Sequence, residues 1–185
     1  MKLLDVGTKS HPGLFAKVDD VDFDHLNQWK WSAERRHKGF YAIRRNSKRG
    51  MVRMHREILG CAEDIDHEDG DGLNNQRYNL RPCSDAQNQW NSGKRHRHGK
   101  TSQYKGVNWS ERFKCWVAYI SANGERKNLG CFDTEEAAAL AYNLGALDRH
   151  GNFAKINEGL SITQAQMDAA RHRRAQHDAP QPSAP

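Results

Sequence analysis

Five polar residues between positions 53 and 88 have the types and spacing of one hydrolytic metal site. They are His55, the adjacent pair Asp66 and His67, and then Asn79 and Asn88. Hydrolysis of a phosphodiester needs a water deprotonated on one side of phosphorus and an alkoxide stabilised on the other. A histidine accepts such a proton, and a divalent cation neutralises the growing charge. The stretch therefore predicts a metal-assisted hydrolytic centre.

The same stretch contains an acidic segment, residues 61–71, that has no lysine or arginine. The chain as a whole is basic, with a pI of about 9.2. The carboxylates of the segment are Glu63, Asp64, Asp66, Glu68, Asp69 and Asp71. A bound cation explains this concentration of negative charge, because hard oxygen ligands suit Mg²⁺ and Mn²⁺. We expect one such ion at the site.

The elements around these residues must bring them together. On an extended strand, neighbouring side chains point to opposite faces, so Asp66 would face the ion and His67 the water. Asn79 is expected to hydrogen-bond the histidine or its surroundings. Ser84 begins a capping-box signature that predicts a helix carrying Asn88 to the same ion. Two strands followed by a helix are the predicted local architecture.

The positive charge is concentrated in two clusters. The chain has a formal charge of +6, and its second cluster runs from Lys94 to Lys114. The first cluster consists of Arg35, Arg36, Lys38, Arg44, Arg45, Lys48, Arg49, Arg53 and Arg56. Two basic clusters around an acidic pocket predict a polyanionic partner. Nucleic acid is favoured over a membrane, because the body of the chain has no basic amphipathic helix with a strong apolar face.

The composition also predicts a cellular setting. No apolar run approaches the roughly 20 residues of a membrane span, and the first ten residues lack a secretory core. We therefore expect a cytoplasmic protein. The four cysteines, at positions 61, 83, 115 and 131, form no C-x-x-C pair. Free, partly buried thiols are expected, rather than disulfides or structural zinc.

Residues 1–60 read as short strands, which include FAKVDD, GFYAIRR and MVRMHREIL. Trp29 and Trp31 are expected on one face of a strand, anchoring a small core. The linker 93–101 has no apolar residue, and its histidines, His96 and His98, are interpreted as part of a basic arm on phosphates rather than as ligands.

Residues after 104 form a second pattern of three short strands and an alanine-rich helix capped by Thr134 or Asp133. Along the second strand, Trp116, Ala118 and Ile120 are predicted to pack against the helix. The alternate residues, Val117, Tyr119 and Ser121, are predicted on the open face. A short basic helix and a disordered tail are expected over 158–185.

The segments MHREIL, DIDHEDGDGLNNQRYNLR and SDAQN resemble the HNH motif of phage and intron-encoded homing endonucleases, the ββα-metal type. The resemblance implies that Asp66 and Asn88 bind Mg²⁺ or Mn²⁺ and that His67 is the general base. It also implies that Asn79 is a positioning residue and that His55 is the mainly structural upstream histidine. The implied reaction leaves 5′-phosphate and 3′-hydroxyl ends.

Residues 102–157 are similar to the plant ethylene-response-factor (APETALA) DNA-binding domain, through YKGVNW, NLGCF and EEAAALAY. In that family a three-stranded sheet lies in the major groove. The resemblance implies a DNA contact surface at Lys105, Asn108, Ser110, Arg112, Tyr119, Ser121, Arg126 and Asn128. Several of the family's arginines are replaced by asparagine or serine, so the plant target sequence is not implied.

Together these observations predict an α+β chain: an N-terminal ββα-metal HNH unit followed by a small three-stranded antiparallel sheet packed on one helix. The expected domains are 1–92, the linker 93–101, 102–157 and the tail 158–185. The predicted function is site-specific cleavage of double-stranded DNA by a monomer that needs no small-molecule cofactor. If the gene is phage-encoded, the host cytoplasm is the setting. The alternative is a DNA-binding regulator with an inactive HNH relic; an RNA-directed protein has no supporting motif.

Overall fold

The computed structural model describes residues 1–36, 39–47, 50–61, 63–94 and 101–171. The fold is mixed α+β, with small antiparallel sheets and short helices. The chain divides into two compact units, Met1–Ser92 and Gly93–Pro185. Several residues on which sequence expectations rest lie outside the described ranges: Lys38, Lys48, Arg49, His96, His98 and positions 172–185.

The first half of unit 1 contains two antiparallel sheets and two short helices. A hairpin pairs the first two strands, and the next three form a sheet with β4 in the centre. The elements are β1 (Lys2–Asp5), β2 (Phe15–Val18), α1 (Asp20–Leu26), β3 (Ser32–Arg36), β4 (Gly39–Asn46), β5 (Gly50–Arg53) and α2 (Met54–Leu59).

The second half of unit 1 is a hairpin followed by a helix. Its elements are β6 (Asp64–His67), a 3-10 turn (Arg77–Asn79), β7 (Leu80–Cys83) and α3 (Asp85–Trp90). The two strands pair antiparallel, with Asp66 opposite Arg81 and His67 opposite Leu80. The predicted capping box is confirmed: the Ser84 hydroxyl accepts from the Gln87 N–H, and the Gln87 side chain accepts from the Ser84 N–H.

Two expectations for residues 1–60 were wrong. MHREIL is the helix α2 rather than the end of a strand; the helix ends at Gly60, whose φ of 60° suits a left-handed cap. Trp29 and Trp31 lie between α1 and β3 rather than on a strand. Trp31 is buried in the core and its indole N–H donates to the Leu26 carbonyl, whereas Trp29 is 44% exposed. Only one tryptophan therefore anchors this core.

Unit 2 matches the predicted order of three strands and a helix. Its elements are β8 (Val107–Ser110), β9 (Cys115–Ala122), β10 (Glu125–Phe132), α4 (Glu135–His150), a 3-10 turn (Gly151–Phe153) and α5 (Gln164–Arg171). The sheet order is β10-β9-β8, all antiparallel. Thr134 caps α4, because its hydroxyl accepts from the Ala137 N–H. The helix packs on the sheet through small side chains: Ala137, Ala138, Ala139, Ala141 and Ala146 are all buried.

Close packing of α4 explains the glycine at position 106. A Cβ there would overlap the ring of Tyr142, and the backbone φ of 76° is in the left-handed region. Ala118 and Ile120 are buried in this core, and Trp116 packs against it, as the alternation predicted. Val117 differs from expectation: it is only 4% exposed. Its cross-strand neighbours are Asn108 and Cys131.

The expectation that all four cysteines are free thiols was wrong for two of them. Cys115 on β9 and Cys131 on β10 form a disulfide, with their Cα atoms 5.9 Å apart. The two residues are separated by 16 positions in sequence. This spacing does not by itself predict a disulfide between them. Antiparallel pairing of their strands brings them together. Cys61 and Cys83 are half-buried in unit 1.

Candidate functional site

Strand β6 places Asp66 and His67 side by side in the interior of unit 1. Both residues are buried, each 5% exposed. The strand is stabilised by the hairpin, because Asp64 to His67 pairs residue by residue with the segment Leu80–Cys83. Adjacent positions on a strand face opposite sides, so the carboxylate and the imidazole have different surroundings.

The Asp66 carboxylate is held from two directions. Arg81, directly across the hairpin, donates to Oδ2 through its Nε at 3.0 Å and its Nη2 at 2.8 Å. Asn91, at the end of α3, donates through Nδ2 to Oδ2 at 2.9 Å and to Oδ1 at 3.1 Å. A buried carboxylate needs such partners, since an unpaired charge in the interior is strongly destabilising.

Helix α3 carries Asn88, the second predicted metal ligand, with its side chain half-buried. Asn91 lies three residues later, and residues at this spacing share one helix face. That face is directed at β6, because Asn91 reaches the Asp66 carboxylate and also donates to the His67 carbonyl at 2.8 Å. The structure thus brings the helix of Asn88 against the strand of Asp66 and His67.

The His67 ring is enclosed by other rings. Its centroid lies 5.1 Å from the ring of His55 on α2 and 5.7 Å from that of Tyr41 on β4, both edge to face. The amide oxygen of Asn75 lies 3.5 Å from its Nε2. His55 is therefore brought to the site from a helix, rather than from the strand that the sequence predicted.

Burial controls the protonation of both histidines. It lowers the pKa of His67 below its usual value, against a smaller opposing effect from the Asn75 contact and the nearby aspartates. It lowers the pKa of His55 to about 3, helped by the repulsion from His67. Desolvation disfavours the charged imidazolium, so both rings are neutral near pH 7. A neutral imidazole can accept a proton.

Asn79 organises the loop that follows β6. Its amide oxygen accepts from the Asp69 N–H at 3.0 Å, and its Nδ2 donates to the Asp69 carboxylate at 3.0 Å and to the Asn74 carbonyl at 2.8 Å. Within the described residues, its hydrogen bonds go to this loop and not to the His67 ring. Gly72 allows the loop to lie flat on β4, because a Cβ there would overlap Phe40 and Tyr41.

The donor set fits a divalent ion that shares its coordination with substrate. Asp66 offers a carboxylate, and Asn88 has an amide oxygen on the adjoining helix. Mg²⁺ typically takes one or two carboxylates, with waters and substrate phosphates completing the shell. In the part of the chain that the structure describes, no group of three or more His, Cys, Asp or Glu side chains has an arrangement that could hold a metal.

The predicted DNA contacts of unit 2 lie on β8, β9, β10 and nearby turns. Arg126 is exposed, and its guanidinium stacks on the Tyr119 ring at 3.9 Å. Ser121 and Arg126 are paired across the sheet, as are Tyr119 and Asn128. Exposed positions are Arg112, Ser121, Arg126 and Asn128; half-buried positions are Lys105, Asn108, Ser110 and Tyr119. Trp109 contacts Trp116 edge to face at 5.2 Å.

The basic cluster of unit 1 is partly internal. Arg44 is 6% exposed, donates to Glu57 at 3.1 Å and stacks on Trp29 at 4.4 Å, so it belongs to the packing rather than to a free basic surface. Arg56 is paired with Asp64 at 2.7 Å. Arg35, Arg36 and Arg45 remain exposed on the sheet β3-β4-β5.

Sequence reasoning missed four residues at the site: Tyr41, Asn75, Arg81 and Asn91. Asn91 had a signal, because it lies three residues after Asn88 on the predicted helix. Arg81 had one as well, since the two-strand prediction implied a residue opposite Asp66. Tyr41 and Asn75 had no local signal; their positions follow from the packing of β4 and the loop against His67.

Comparison with known proteins identified relatives of each part. The chain is 35% identical over 156 residues to a protein of Acanthamoeba polyphaga mimivirus named as an uncharacterized HNH endonuclease; the match covers 79% of this chain and 76% of that protein. It is 34% identical over 92 residues to Protein 3.8 of Escherichia phage T7, covering 50% of this chain and 74% of that one. No protein-family model matches the chain.

A third relative matches a smaller part. The chain is 42% identical over 62 residues to APETALA2-like protein 2 of Oryza sativa subsp. japonica, which covers 34% of this chain but only 14% of the rice protein. The similarity therefore concerns a single segment of that larger protein. Among the described residues, no helix is long and apolar enough to cross a membrane.

Proposed function

Because this chain belongs to the HNH endonuclease family, we propose that it is a metal-dependent endonuclease that cleaves double-stranded DNA. One observation carries the proposal: a buried, paired carboxylate, Asp66, lies beside a buried imidazole, His67, whose pKa is lowered by desolvation. A neutral base adjacent to an anionic ligand is the combination that hydrolytic cleavage of a phosphodiester requires.

His67 is the proposed general base. In the tautomer whose Nε2–H donates to Asn75, the Nδ1 atom is the proton acceptor for the attacking water. The surrounding rings of His55 and Tyr41 restrict the rotation of the imidazole. Proton removal by a positioned side chain contributes typically 10²–10⁴-fold to the rate. His55 and Asn79 have supporting roles, one against the ring and the other in the loop after β6.

Asp66 and Asn88 are the proposed metal ligands. Held by these two residues, Mg²⁺ or Mn²⁺ would supply positive charge for the scissile phosphate and the leaving oxygen. Arg81 and Asn91 keep the Asp66 carboxylate oriented and compensate its charge. Attack of the water oxygen on phosphorus would break the bond from phosphorus to the 3′ oxygen, which would take a proton from solvent to become a 3′-hydroxyl and would leave the phosphate on the 5′ end.

Unit 2 is the proposed DNA anchor. The exposed face of its sheet presents Arg126 stacked on Tyr119, with Arg112 in the neighbouring turn. The similarity of part of the chain to the APETALA2-like protein is consistent with the resemblance of residues 102–157 to that DNA-binding family. Arg35, Arg36 and Arg45 on unit 1 offer further contacts to phosphates. Phosphate contacts fix the position of a protein on the duplex, whereas base contacts select the sequence.

The test is nicking of supercoiled plasmid by the purified chain with Mg²⁺, with Mn²⁺ and with excess EDTA. Conversion to open-circular or linear DNA with either ion, and none with EDTA, is expected. Ligation of the products without kinase treatment checks the 5′-phosphate ends. The matched control is the His67→Ala protein purified identically, which excludes a contaminating nuclease. A chain that binds duplex DNA but nicks none under any metal would favour the DNA-binding regulator instead.

A further inference from the structure

We propose that Asn91 is a positioning residue that fixes helix α3 on strand β6 and so sets how Asn88 approaches Asp66. The inference rests on the proposed metal-dependent cleavage, because it assigns a role toward the same ion. Asn91 itself is not a proposed ligand: its contacts to Asp66 are made by the amide nitrogen.

The contacts of Asn91 are unusually concentrated for one side chain. Its Nδ2 lies within hydrogen-bonding distance of four acceptors: both oxygens of Asp66, the His67 carbonyl at 2.8 Å and the Glu68 carbonyl at 3.1 Å. The residue is 8% exposed. All four acceptors belong to β6 or to the position directly after it, so the amide holds this strand end as a unit.

Asn91 is also the C-cap residue of its helix. It has α-helical dihedral angles at the C-cap, and its backbone N–H donates to the Gln87 carbonyl. Asn88 is one turn earlier on the same face, and its carbonyl accepts from the Ser92 hydroxyl at 3.0 Å. The helix is six residues long, and the Asn91 amide links its C-terminal end to the hairpin. One buried amide therefore couples the element that carries Asn88 to the strand that carries Asp66.

Arg81 completes the support from the opposite side. Its guanidinium donates twice to Oδ2 of Asp66, while Asn91 contacts both oxygens. The carboxylate is thus prevented from rotating about its terminal bond. Residues that orient metal ligands in this way typically change metal affinity or activity by 10–100-fold when they are replaced.

The experiment compares Asn91→Ala and Asn91→Ser with the parent chain and with Gln89→Ala. Serine keeps a hydroxyl but is too short to reach Asp66. Gln89 is an exposed residue of the same helix, which makes it a matched control. Mn²⁺ affinity is measured by electron paramagnetic resonance without DNA, duplex binding is measured in EDTA, and folding is followed by circular dichroism.

Both Asn91 variants are expected to bind Mn²⁺ 10–100-fold more weakly than the parent. Their cleavage should need correspondingly more Mn²⁺ for half-maximal rate, while duplex binding in EDTA stays within about twofold. Gln89→Ala should match the parent throughout. All proteins are assayed at about 10 °C below the melting midpoint of the less stable Asn91 variant. If one Asn91 variant is unfolded even there, the other supplies the comparison.

A purely structural role gives a different result. Folded Asn91→Ala and Asn91→Ser proteins with lower melting temperatures but the parent's Mn²⁺ affinity would overturn the positioning role and leave the proposed function intact. A parent chain that binds no Mn²⁺ and cuts no DNA would overturn the proposed function itself, and the inference with it. The two failures are therefore distinguishable in one set of measurements.

Discussion

Asp66 and His67 are neighbours in sequence, yet their side chains lie in different environments. The carboxylate is paired with Arg81 and Asn91. The imidazole lies among the rings of Tyr41 and His55, where desolvation lowers its pKa. Alternation along one strand provides both environments. The proposed metal ligand and the proposed base can thus have different environments at adjacent positions.

We expect His67→Ala to lower the rate of DNA cleavage by about 10²-fold or more, because a positioned base contributes that much. Duplex binding should stay within a few-fold of the parent, since His67 is only 5% exposed and the proposed DNA anchor is unit 2. Plasmid nicking and gel-shift titrations measure the two effects. Cleavage by His67→Ala at the parental rate would remove His67 from the mechanism.

Two replacements of Asp66 distinguish the effect of its negative charge from the effect of its hydrogen bonds. Asp66→Asn keeps an acceptor oxygen for Arg81 but removes the negative charge, so Mn²⁺ binding and cleavage should be lost with a smaller fall in melting temperature than in Asp66→Ala. Asp66→Ala leaves donors of Arg81 and Asn91 without their partner and should cost about 1–3 kcal/mol of stability in addition. Isothermal titration with Mn²⁺ and thermal unfolding of both variants check this. Undiminished activity of Asp66→Asn would contradict the ligand assignment.

At the scale of elements, α2 and β6 bury two histidines against each other. Their folded-state pKa values lie below the unfolded value of about 6.5, and that of His55 is about 3. Above about pH 6.5, both histidines are neutral in the folded and in the unfolded chain, so they do not lower the free energy of unfolding. As the pH falls below that value, the unfolded chain gains protons that the folded chain does not, so the free energy of unfolding decreases.

The predicted loss reaches at most about 1.4 kcal/mol per pH unit for each buried histidine. Urea unfolding of the full chain at pH 7 and pH 5 measures the decrease. His55→Gln removes one of these groups and should flatten the dependence, while contributions from carboxylates and from His150 in unit 2 cancel in the comparison. An identical pH dependence in parent and His55→Gln would show that His55 takes up protons equally in both states.

At the scale of the whole molecule, each compact unit has its own buried core. A fragment of residues 100–185 should therefore fold alone and bind duplex DNA. If about five phosphates are neutralised, log K should fall with log[salt] at a slope near −4 to −5. Arg126→Gln and Arg112→Gln should each weaken binding and, where they contact phosphate, flatten that slope by about one unit. Fluorescence anisotropy over a salt series measures this.

The complementary fragment, residues 1–98, should keep metal-dependent cutting but select its site poorly. Mapping of its cleavage positions on a substrate that contains the parent's site is the decisive measurement. Cleavage there with undiminished affinity and selectivity would mean that unit 2 is not the anchor.

Short-range signals determined much of this protein before any tertiary contact was known. The Ser84 capping box, the Thr134 cap, the alternation at Trp116, Ala118 and Ile120, and the alanine-rich helix all depend on residues within a few positions of one another. The structure confirms each of them. The spacing of Asp66, His67, Asn79 and Asn88 pointed to one site, and their roles in it stay predictions.

Tertiary structure decided what depends on residues far apart in sequence. The sequence predicts a strand for MHREIL, which is a helix, because six residues are too few for helical periodicity to show. The burial of Arg44 under Trp29, the Cys115–Cys131 link and the convergence of Arg81 and Asn91 on Asp66 arise from strand register and helix docking. Local propensity fixes which residues can form an element. Tertiary packing determines which polar side chains are buried and which hydrogen-bond partners offset the cost of their desolvation.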